Sequence, residues 1–392
     1  MYRDPVDGSE YRLNEPRWRS AAGRPLWIDP GPGIDRSDID VSVQSLWRYR
    51  AALPVPISHP ISLGEGSTPL LEREWAHGGR PLFKLDFLNP TGSFKDRGTS
   101  VMLSYLRDRG IRSVLEDSSG NGGSSIAGYG AAGGVRVKVF APASTSSAKI
   151  AQVRAYGAEL QLVEGPREES QNEAIRQSDG DAFYASHNWQ AFFLQGTKTL
   201  AYELWEDLGF RVPDNVIVPV GAGSSLLGCW LGFGELLRAR QIERMPRLFA
   251  AQPLNCSPVD ASFTEGTDQL VERAVSPTIA QGTSIPRPLR LAQMIGGPAR
   301  HRWRDDRCPR ERHRGRTRRV VLDRAVRRTD QCVRRCRVFG PVALRAHRRS
   351  GGNRCPPYGF GIEGRAHGRR PAGRDPRVTG SVHGALLELL PS

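Results

Sequence analysis

Lys95 is the residue of this chain whose type and setting are best suited to covalent chemistry. It lies in the segment 89–98, which reads Asn-Pro-Thr-Gly-Ser-Phe-Lys-Asp-Arg-Gly. Residues 81–88 alternate apolar and polar side chains as a strand does, and a helical spacing of apolar residues begins near Val101. A partly desolvated lysine at such a junction loses its proton more easily, which makes Lys95 a candidate Schiff-base nucleophile. Taken alone, Phe-Lys-Asp-Arg is more typical of a solvated lysine in the first turn of a helix.

Two glycine-rich segments, 118–125 (SSGNGGSS) and 219–228 (PVGAGSSLLG), each stand between a strand-like run and a helical one. Small residues let several backbone amides point inward, and the dipole of the following helix favours an anion. The second segment is not a Walker loop, because no Lys-Ser/Thr follows at the required spacing. It also lacks the third glycine and the downstream acidic residue of a dinucleotide fingerprint. Alone, either segment is also compatible with an ordinary serine-capped loop.

The elements that would position these residues alternate between short strands and helices up to about residue 234. Strand-like runs occur at 113–116, 135–141, 159–163 and 215–220. This alternation predicts an α/β protein with a mostly parallel sheet and right-handed crossovers. Open α/β sheets bind their ligands at strand-to-helix junctions, where Lys95 stands. A chain of 392 residues is long enough for two domains.

Taken together and in order, these motifs resemble those of the pyridoxal-phosphate enzymes of fold type II, the tryptophan-synthase-β type. Within that type they are most similar to the threonine synthases. The resemblance covers residues 62 to about 228 and includes the segment 62–70 (SLGEGSTPL). It implies that Lys95 is the catalytic residue that holds pyridoxal 5'-phosphate, and that Asn121 bonds the phenolic oxygen of the cofactor. The residues implied to cradle the cofactor phosphate are Gly221, Ala222, Gly223, Ser224 and Ser225. Those implied to hold the substrate carboxylate are Ser118, Ser119, Gly120 and Gly122.

The same resemblance implies a two-lobed core of open, mostly parallel sheets with the cofactor in the cleft between the lobes. We expect an N-terminal extension at 1–60, a large lobe formed by 61–104 and 205–296, and a smaller lobe formed by 105–204. Residues 297–392 are an atypical arginine-rich region. Within it, 378–381 (VTGS) resembles the short glycine motif that faces the pyridine nitrogen in this family, which makes Thr379 a candidate cofactor ligand.

The resemblance implies a lyase, a threonine synthase that converts O-phosphohomoserine and water to threonine and phosphate. The alternative is a β-eliminating relative, either a threonine or serine dehydratase or a diaminopropionate ammonia-lyase. A further alternative is an inactive or impaired family member with a defective C-terminal third. The rival outside the enzymes is a basic binding protein that uses its arginine-rich segment.

The net charge of +15 is confined to one segment. Residues 299–378 contain 25 arginines and seven acidic residues, whereas the rest of the chain has 31 basic and 34 acidic residues. We therefore expect no nucleic acid as a partner. The resemblance implies a small amino-acid substrate, O-phosphohomoserine. No metal site is expected, because Cys332 and Cys336 have no suitably spaced Cys or His pair. With no membrane-spanning run and no secretory signal, we expect a cytoplasmic protein, and we expect a homodimer.

The arginine-rich segment has neither helical nor strand periodicity. It is compatible with a disordered basic tail or a nucleic-acid-binding arm. A third hypothesis is that the reading frame changes near Gly297, because a one-base shift lets 344–347 encode Phe-Glu-Pro-Thr, similar to a segment of this family. The hypothesis accounts for the abrupt loss of pattern after a well-patterned core.

Two further residues lie between the glycine segments. His187 is interpreted as a satisfied polar residue and not as a base. Lys198 is either a phosphate contact or a solvated lysine at the start of a helix.

Overall fold

Strands and helices alternate along most of the chain. The computed structural model describes residues 1–75, 79–118, 120–145, 147–178, 180–296 and 342–345. In chain order the elements are β1 (Tyr2–Arg3), β2 (Glu10–Tyr11), β3 (Trp27–Ile28), β4 (Leu70–Glu72), β5 (Leu82–Lys84), α1 (Lys95–Asp108), β6 (Ser113–Glu116), α2 (Asn121–Gly133), β7 (Arg136–Pro142), α3 (Ser147–Ala155), β8 (Glu159–Val163), α4 (Arg167–Gln177), β9 (Phe183–Tyr184), α5 (Ala191–Thr197), α6 (Thr199–Asp207), β10 (Asn215–Pro219), α7 (Ser224–Arg238), β11 (Arg247–Ala251), α8 (Pro258–Glu265), α9 (Leu291–Gly296) and β12 (Val342–Arg345). None of the helices in these ranges is long and apolar enough to cross a membrane.

One sheet has four strands in the order β8-β7-β6-β9, and every pair in it is parallel. Helices α2, α3 and α4 connect these strands in turn, because a parallel pair needs a crossover connection. The strands carry buried apolar side chains, among them Val114, Leu115, Val139 and Phe140. Three of the four strands were predicted from the sequence. The short β9 was not, because two residues are too few to show a period.

A second sheet has five strands in the order β11-β10-β12-β5-β4. Only β10 and β11 pair in parallel, whereas β12 is antiparallel to both of its neighbours and β4 is antiparallel to β5. The α/β class with a parallel sheet is confirmed, and this second sheet is mixed. Strands β4 and β5 follow each other closely in sequence, so they pair without the helix that a parallel crossover would require.

The arginine-rich region supplies one strand that its composition did not predict. The residues of β12, Val-Ala-Leu-Arg, contain a short apolar run, and the strand lies between β5 and β10. The remainder of this region, 297–341 and 346–392, lies outside the described residues. The predicted boundaries between extension, lobes and arginine-rich region therefore stay predictions.

The N-terminal extension packs against α1. Its strands form a small antiparallel sheet in the order β2-β1-β3. Tyr2 is buried and donates a hydrogen bond to the Tyr105 hydroxyl at 2.9 Å. The Trp47 indole, in a short 3-10 helix, donates to the Ser100 hydroxyl at 2.9 Å. These contacts fix the helix that begins with Lys95.

Helices α1 and α5 approach each other closely because each has a glycine at the contact. A Cβ on Gly98 would lie 2.5 Å from a ring carbon of Phe193, and one on Gly196 would lie 2.1 Å from the carbonyl oxygen of Arg97. Every residue of α1 from Asp96 to Leu106 is buried. The close approach brings the Phe193 ring to the start of α1.

Candidate active site

Lys95 is the first residue of α1 and lies among aromatic rings. Its Nζ is 4.7 Å from the ring centroid of Phe94 and 5.5 Å from that of Phe193. Desolvation lowers the pKa of the ammonium from 10.5 to about 7, although the nearby Glu116 acts in the opposite direction. Arg167 lowers this pKa further. At neutral pH a large fraction of Lys95 is therefore an uncharged, nucleophilic amine.

The two charged residues after Lys95 hold the helix start in place. Asp96 accepts hydrogen bonds from the Thr91 amide at 2.7 Å, the Thr91 hydroxyl at 2.5 Å and the Ser125 hydroxyl at 2.6 Å. Arg97 is buried and binds both Asp86 and Glu203 at 2.7–2.9 Å. The Asp-Arg pair of the lysine segment is therefore structural, since its polar atoms are engaged within the protein.

The first glycine segment turns from β6 into α2. A Cβ on Gly122 would lie 2.7 Å from the His187 ring and 2.9 Å from the Ser118 hydroxyl, so only glycine fits. Asn121 begins α2 and is partly buried, and its side-chain amide forms no hydrogen bond with other residues in the described ranges. Gly120 has open space where a Cβ would stand. Ser119, a predicted substrate ligand, lies outside the described residues.

The second glycine segment turns from β10 into α7. Gly223 precedes α7 with φ of 89°, and no side chain caps the helix. The Ser224 hydroxyl is buried and has no hydrogen-bond partner among the described residues. Ser225 is also buried, and Ala222 is partly exposed. A Cβ on Gly221 would lie 3.0 Å from Thr283, so the loop is closely covered on that side. An uncapped helix start beside an unpaired hydroxyl fits a phosphate group.

The sequence analysis missed Glu116, the last residue of β6. It is fully buried, and its Oε1 lies 2.8 Å from Nδ1 of His187, whose backbone amide donates to Oε2 at 3.2 Å. Burial raises the pKa of Glu116 from 4.5 to about 8, and burial lowers the pKa of His187 well below its usual value. A charged residue at the end of an apolar strand, directly before a glycine-rich loop, was the available signal.

Lys198 plays neither of the roles considered for it. Its ammonium is buried, and it donates to Glu235 at 2.8 Å and to the Ala52 carbonyl at 2.7 Å. Glu235 also accepts a hydrogen bond from the Tyr202 hydroxyl at 2.6 Å. Lys198 is thus neither solvated nor open to a phosphate.

Two hydrogen bonds and one cation–ring contact connect helices α1, α2, α5 and α7. The Ser125–Asp96 bond links the first turn of α2 to the first turn of α1. Helix α5 contacts Lys95 through Phe193, and its Thr197 hydroxyl donates to the Ser224 carbonyl at 3.1 Å, at the start of α7. These contacts connect α2 to α1, and they connect α1 and α7 to α5, so the helices that begin with Lys95, Asn121 and Ser224 belong to one contiguous group. Thr379 lies outside the described residues.

Comparison with known sequences identifies relatives with a shared description. Residues 61–300 match the family model described as pyridoxal-phosphate dependent enzyme. The threonine synthase of Methanocaldococcus jannaschii is 33% identical over 258 residues, which cover 64% of this chain and 63% of the relative. The threonine synthase of Methanosarcina acetivorans is 27% identical over 267 residues, which cover 67% of this chain and 66% of the relative. The chain thus spans just under two thirds of the length of these relatives.

Solved structures with a similar fold include maize serine racemase, with a TM-score of 0.51 and 22% identity over 58% of this chain and 69% of that one. The processed form of threonine deaminase isoform 2 from Solanum lycopersicum has a TM-score of 0.51 and 22% identity, over 69% of this chain and 75% of that one. At this identity they show the fold alone. Since the family model matches more than half of the chain, the protein belongs to the pyridoxal-phosphate dependent enzymes of fold type II, and its cofactor is pyridoxal 5'-phosphate.

Proposed function

We propose that this protein is a threonine synthase, a lyase that converts O-phosphohomoserine and water to threonine and inorganic phosphate. The observation that carries the proposal is the identity of 33% to the threonine synthase of Methanocaldococcus jannaschii over 258 residues, which cover 64% of this chain. The reaction cleaves the bond between Cγ and the phosphate oxygen, and the oxygen of water bonds to Cβ. We propose further that the enzyme is a cytoplasmic homodimer.

Three groups of residues would hold the cofactor. The amine of Lys95 would bind it covalently, Asn121 would bond its phenolic oxygen, and residues 221–225 would surround its phosphate. The unpaired Ser224 hydroxyl and the uncapped start of α7 supply what a phosphate dianion needs. When bound, the cofactor supplies an electron sink for the substrate carbanion.

Residues of this protein transfer the proton, exclude water and hold the substrate carboxylate. Lys95 takes the proton from the substrate Cα and returns it, and its pKa of about 7 suits a group that must act as both base and acid. Phe94 and Phe193 keep water from the amine. The hydroxyl of Ser118 and the backbone amides of the glycine turn around Gly120 and Gly122 hold the substrate carboxylate.

Arg167 is suited to bind the substrate phosphate. It is the first residue of α4, it is exposed, and it forms no ion pair with any residue in the described ranges. Its charge nevertheless reaches the site, because it lowers the pKa values of Lys95, Glu116 and His187. A guanidinium at a helix N-terminus is a strong partner for a phosphate, and a dehydratase acting on threonine would have no use for it.

The test is to incubate the enzyme loaded with pyridoxal phosphate with O-phosphohomoserine and, separately, with threonine. A threonine synthase releases phosphate and threonine in equal amounts from the first substrate, and Lys95→Ala abolishes both. Phosphate release without threonine contradicts the proposal. Formation of 2-oxobutyrate from threonine, with O-phosphohomoserine untouched, supports the dehydratase.

The proposed contact between Arg167 and the substrate phosphate can be tested with two matched variants in α4. Arg167→Gln is expected to raise KM for O-phosphohomoserine about 10- to 100-fold, since a charge-assisted hydrogen bond contributes about 1.5–3 kcal/mol. Arg176→Gln, near the end of the same helix and paired with Glu173, should leave KM unchanged. If the two variants behave alike, Arg167 does not contact the phosphate.

The alternative of an impaired enzyme can be tested separately by absorbance spectroscopy. A loaded enzyme shows an absorbance band near the visible edge that borohydride bleaches and that Lys95→Ala removes. Folded protein that shows no such band at saturating pyridoxal phosphate supports the impaired alternative. The candidate role of Thr379 at the pyridine nitrogen is tested by Thr379→Ala, which should then weaken cofactor binding.

A further inference from the structure

Glu116 is a buried carboxyl without a permanent cation at hydrogen-bond distance. Two other buried glutamates have one: Glu203 pairs with Arg97 and Lys84, and Glu235 pairs with Lys198. Glu116 has only His187, at 2.8 Å, as an ionisable hydrogen-bond partner among the described residues. A buried carboxylate with no cation is costly, so this carboxyl retains its proton unless a neighbour takes it.

The Glu116–His187 pair and the reactive amine both approach the ring of Phe193. The His187 ring is 5.7 Å from the Phe193 ring, and Lys95 Nζ is 5.5 Å from the same ring. The missing side chain of Gly122 leaves room for the imidazole. Nδ1 of His187 faces Glu116, and Nε2 has no hydrogen-bond partner within the described ranges. The mechanism above uses neither residue.

The charges around this cluster come from three elements. Lys95 approaches from α1, Arg167 from the start of α4, and Asp117 follows Glu116 in the chain. Burial raises the pKa of Glu116 to about 8 and lowers that of Lys95 to about 7. The two groups therefore titrate in the same pH range, and each favours the charged form of the other.

We propose that Glu116 and His187 are positioning residues that hold an exchangeable proton beside Lys95. When the Lys95 amine takes a proton from solvent and forms an N–H bond, the O–H bond of the Glu116 carboxyl breaks and its proton goes to solvent, so that acid and amine become carboxylate and ammonium. Neutral His187 anchors the carboxyl through Nδ1 and stays neutral in both states. The site can thus place a charge on Lys95, when the amine takes a proton, without leaving a net charge buried.

This inference rests on Lys95 as the reactive amine, and it does not depend on the substrate. It can be tested on the full-length protein without cofactor or substrate, so its failure is distinct from failure of the proposed function. The chain has five lysines, which makes reductive methylation with formaldehyde and cyanoborohydride readable by mass spectrometry. The measured quantity is the methylation rate of Lys95 relative to Lys138 as pH rises from 5.5 to 9.

Glu116→Gln removes the carboxylate that stabilises the ammonium. The pH midpoint of Lys95 methylation is expected to fall from about 7 by about half a pH unit or more, which increases its relative rate at pH 5.5 about threefold or more. His187→Asn is expected to shift the midpoint in the same direction, because the carboxyl loses its anchor and ionises less readily. The double variant should shift it no further than Glu116→Gln alone, since the two residues act together.

Asp117→Asn is the matched control, since it changes the next carboxyl along the chain, which is buried and bonded to Tyr184 at 2.9 Å. It should leave the Lys95 midpoint unchanged. The proposal is overturned if Glu116→Gln leaves the midpoint in place, raises it, or shifts it no more than Asp117→Asn does. Circular dichroism shows whether Glu116→Gln folds. If it does not, His187→Asn is the test, and an unchanged Lys95 midpoint in that variant overturns the proposal.

Discussion

The Ser125 hydroxyl lies 2.6 Å from Oδ1 of Asp96, so the residue after the reactive lysine is tied to the helix that follows the first glycine segment. The same oxygen accepts a hydrogen bond from Thr91, in the turn before the lysine. The hydroxyl oxygens of Ser125 and Thr99 also lie 2.9 Å apart, at hydrogen-bond distance. A single buried carboxyl thereby sets the relative position of two segments predicted to bind the cofactor.

Replacing Asp96 with Asn should therefore disturb both stability and cofactor binding. The asparagine side chain has an NH2 group in place of one acceptor oxygen of Asp96. At least one buried donor that binds Asp96 then has no acceptor, which lowers the free energy of unfolding by about 1–3 kcal/mol. Denaturant unfolding of the cofactor-free protein measures this loss, and absorbance titration measures the affinity for pyridoxal phosphate. Asp181→Asn, at an exposed position, is the control. Equal stability of the two variants would contradict a structural role for Asp96.

Alanine substitutions at Gly122 and at Gly120 should have different effects on stability. Gly122→Ala places a Cβ 2.7 Å from the His187 ring and should lower the free energy of unfolding by about 1–3 kcal/mol through overpacking. Gly120→Ala meets no atom within 4 Å and should cause no such loss. Thermal unfolding of both variants checks this. A Gly120→Ala variant that is as destabilised as Gly122→Ala would show that space at His187 is not the cause.

Ser224 should contribute to the affinity for the cofactor and not to the stability of the fold. Its hydroxyl is buried and has no hydrogen-bond partner in the described part of the chain. Ser224→Ala should therefore leave stability unchanged or raise it, because removing an unsatisfied polar group is favourable. The affinity for pyridoxal phosphate should fall about tenfold, the loss of about one hydrogen bond to a charged group. Ser170→Ala removes another buried unpaired hydroxyl and is the matched control. Unchanged affinity in Ser224→Ala would exclude a phosphate contact.

The raised pKa of Glu116 predicts a pH dependence of stability. Because this pKa rises from 4.5 to about 8 on folding, the folded protein binds the proton more tightly than the unfolded chain does. Its stabilising contribution is full below pH 4.5 and is lost as pH rises through 8. The difference in free energy of unfolding between wild type and Glu116→Gln should fall by about 1 kcal/mol per pH unit in that window.

Urea unfolding at pH 5, 6, 7 and 8 measures that difference. The lowered pKa of Lys95 has the opposite effect, since stability then rises with pH between about 7 and 10.5. The comparison is therefore most informative below pH 7. A difference that stays flat or rises with pH would mean that Glu116 is ionised in the folded protein.

The sequence predicted local patterns better than the contacts between them. The parallel strands, Lys95 at a helix start and the two glycine turns follow from short-range periodicity and turn residues. Glu116 and His187 are separated by 71 positions in the chain, so no local pattern connects them. Lys198 was misjudged because its partner Glu235 lies 37 residues away. A buried ion pair leaves no trace in the sequence near either member.

The position of β12 has a consequence for how the chain is synthesised. The strand pairs Val342 with Lys84 and Leu344 with Val216, contacts of very high sequence separation. When the ribosome has added residue 296, β5 and β10 are made, but the strand that joins them is not. Two sheet edges then expose unpaired amides and carbonyls, which favours pairing with other chains. The five-stranded sheet is therefore completed only late in synthesis, after Val342–Arg345 has been added.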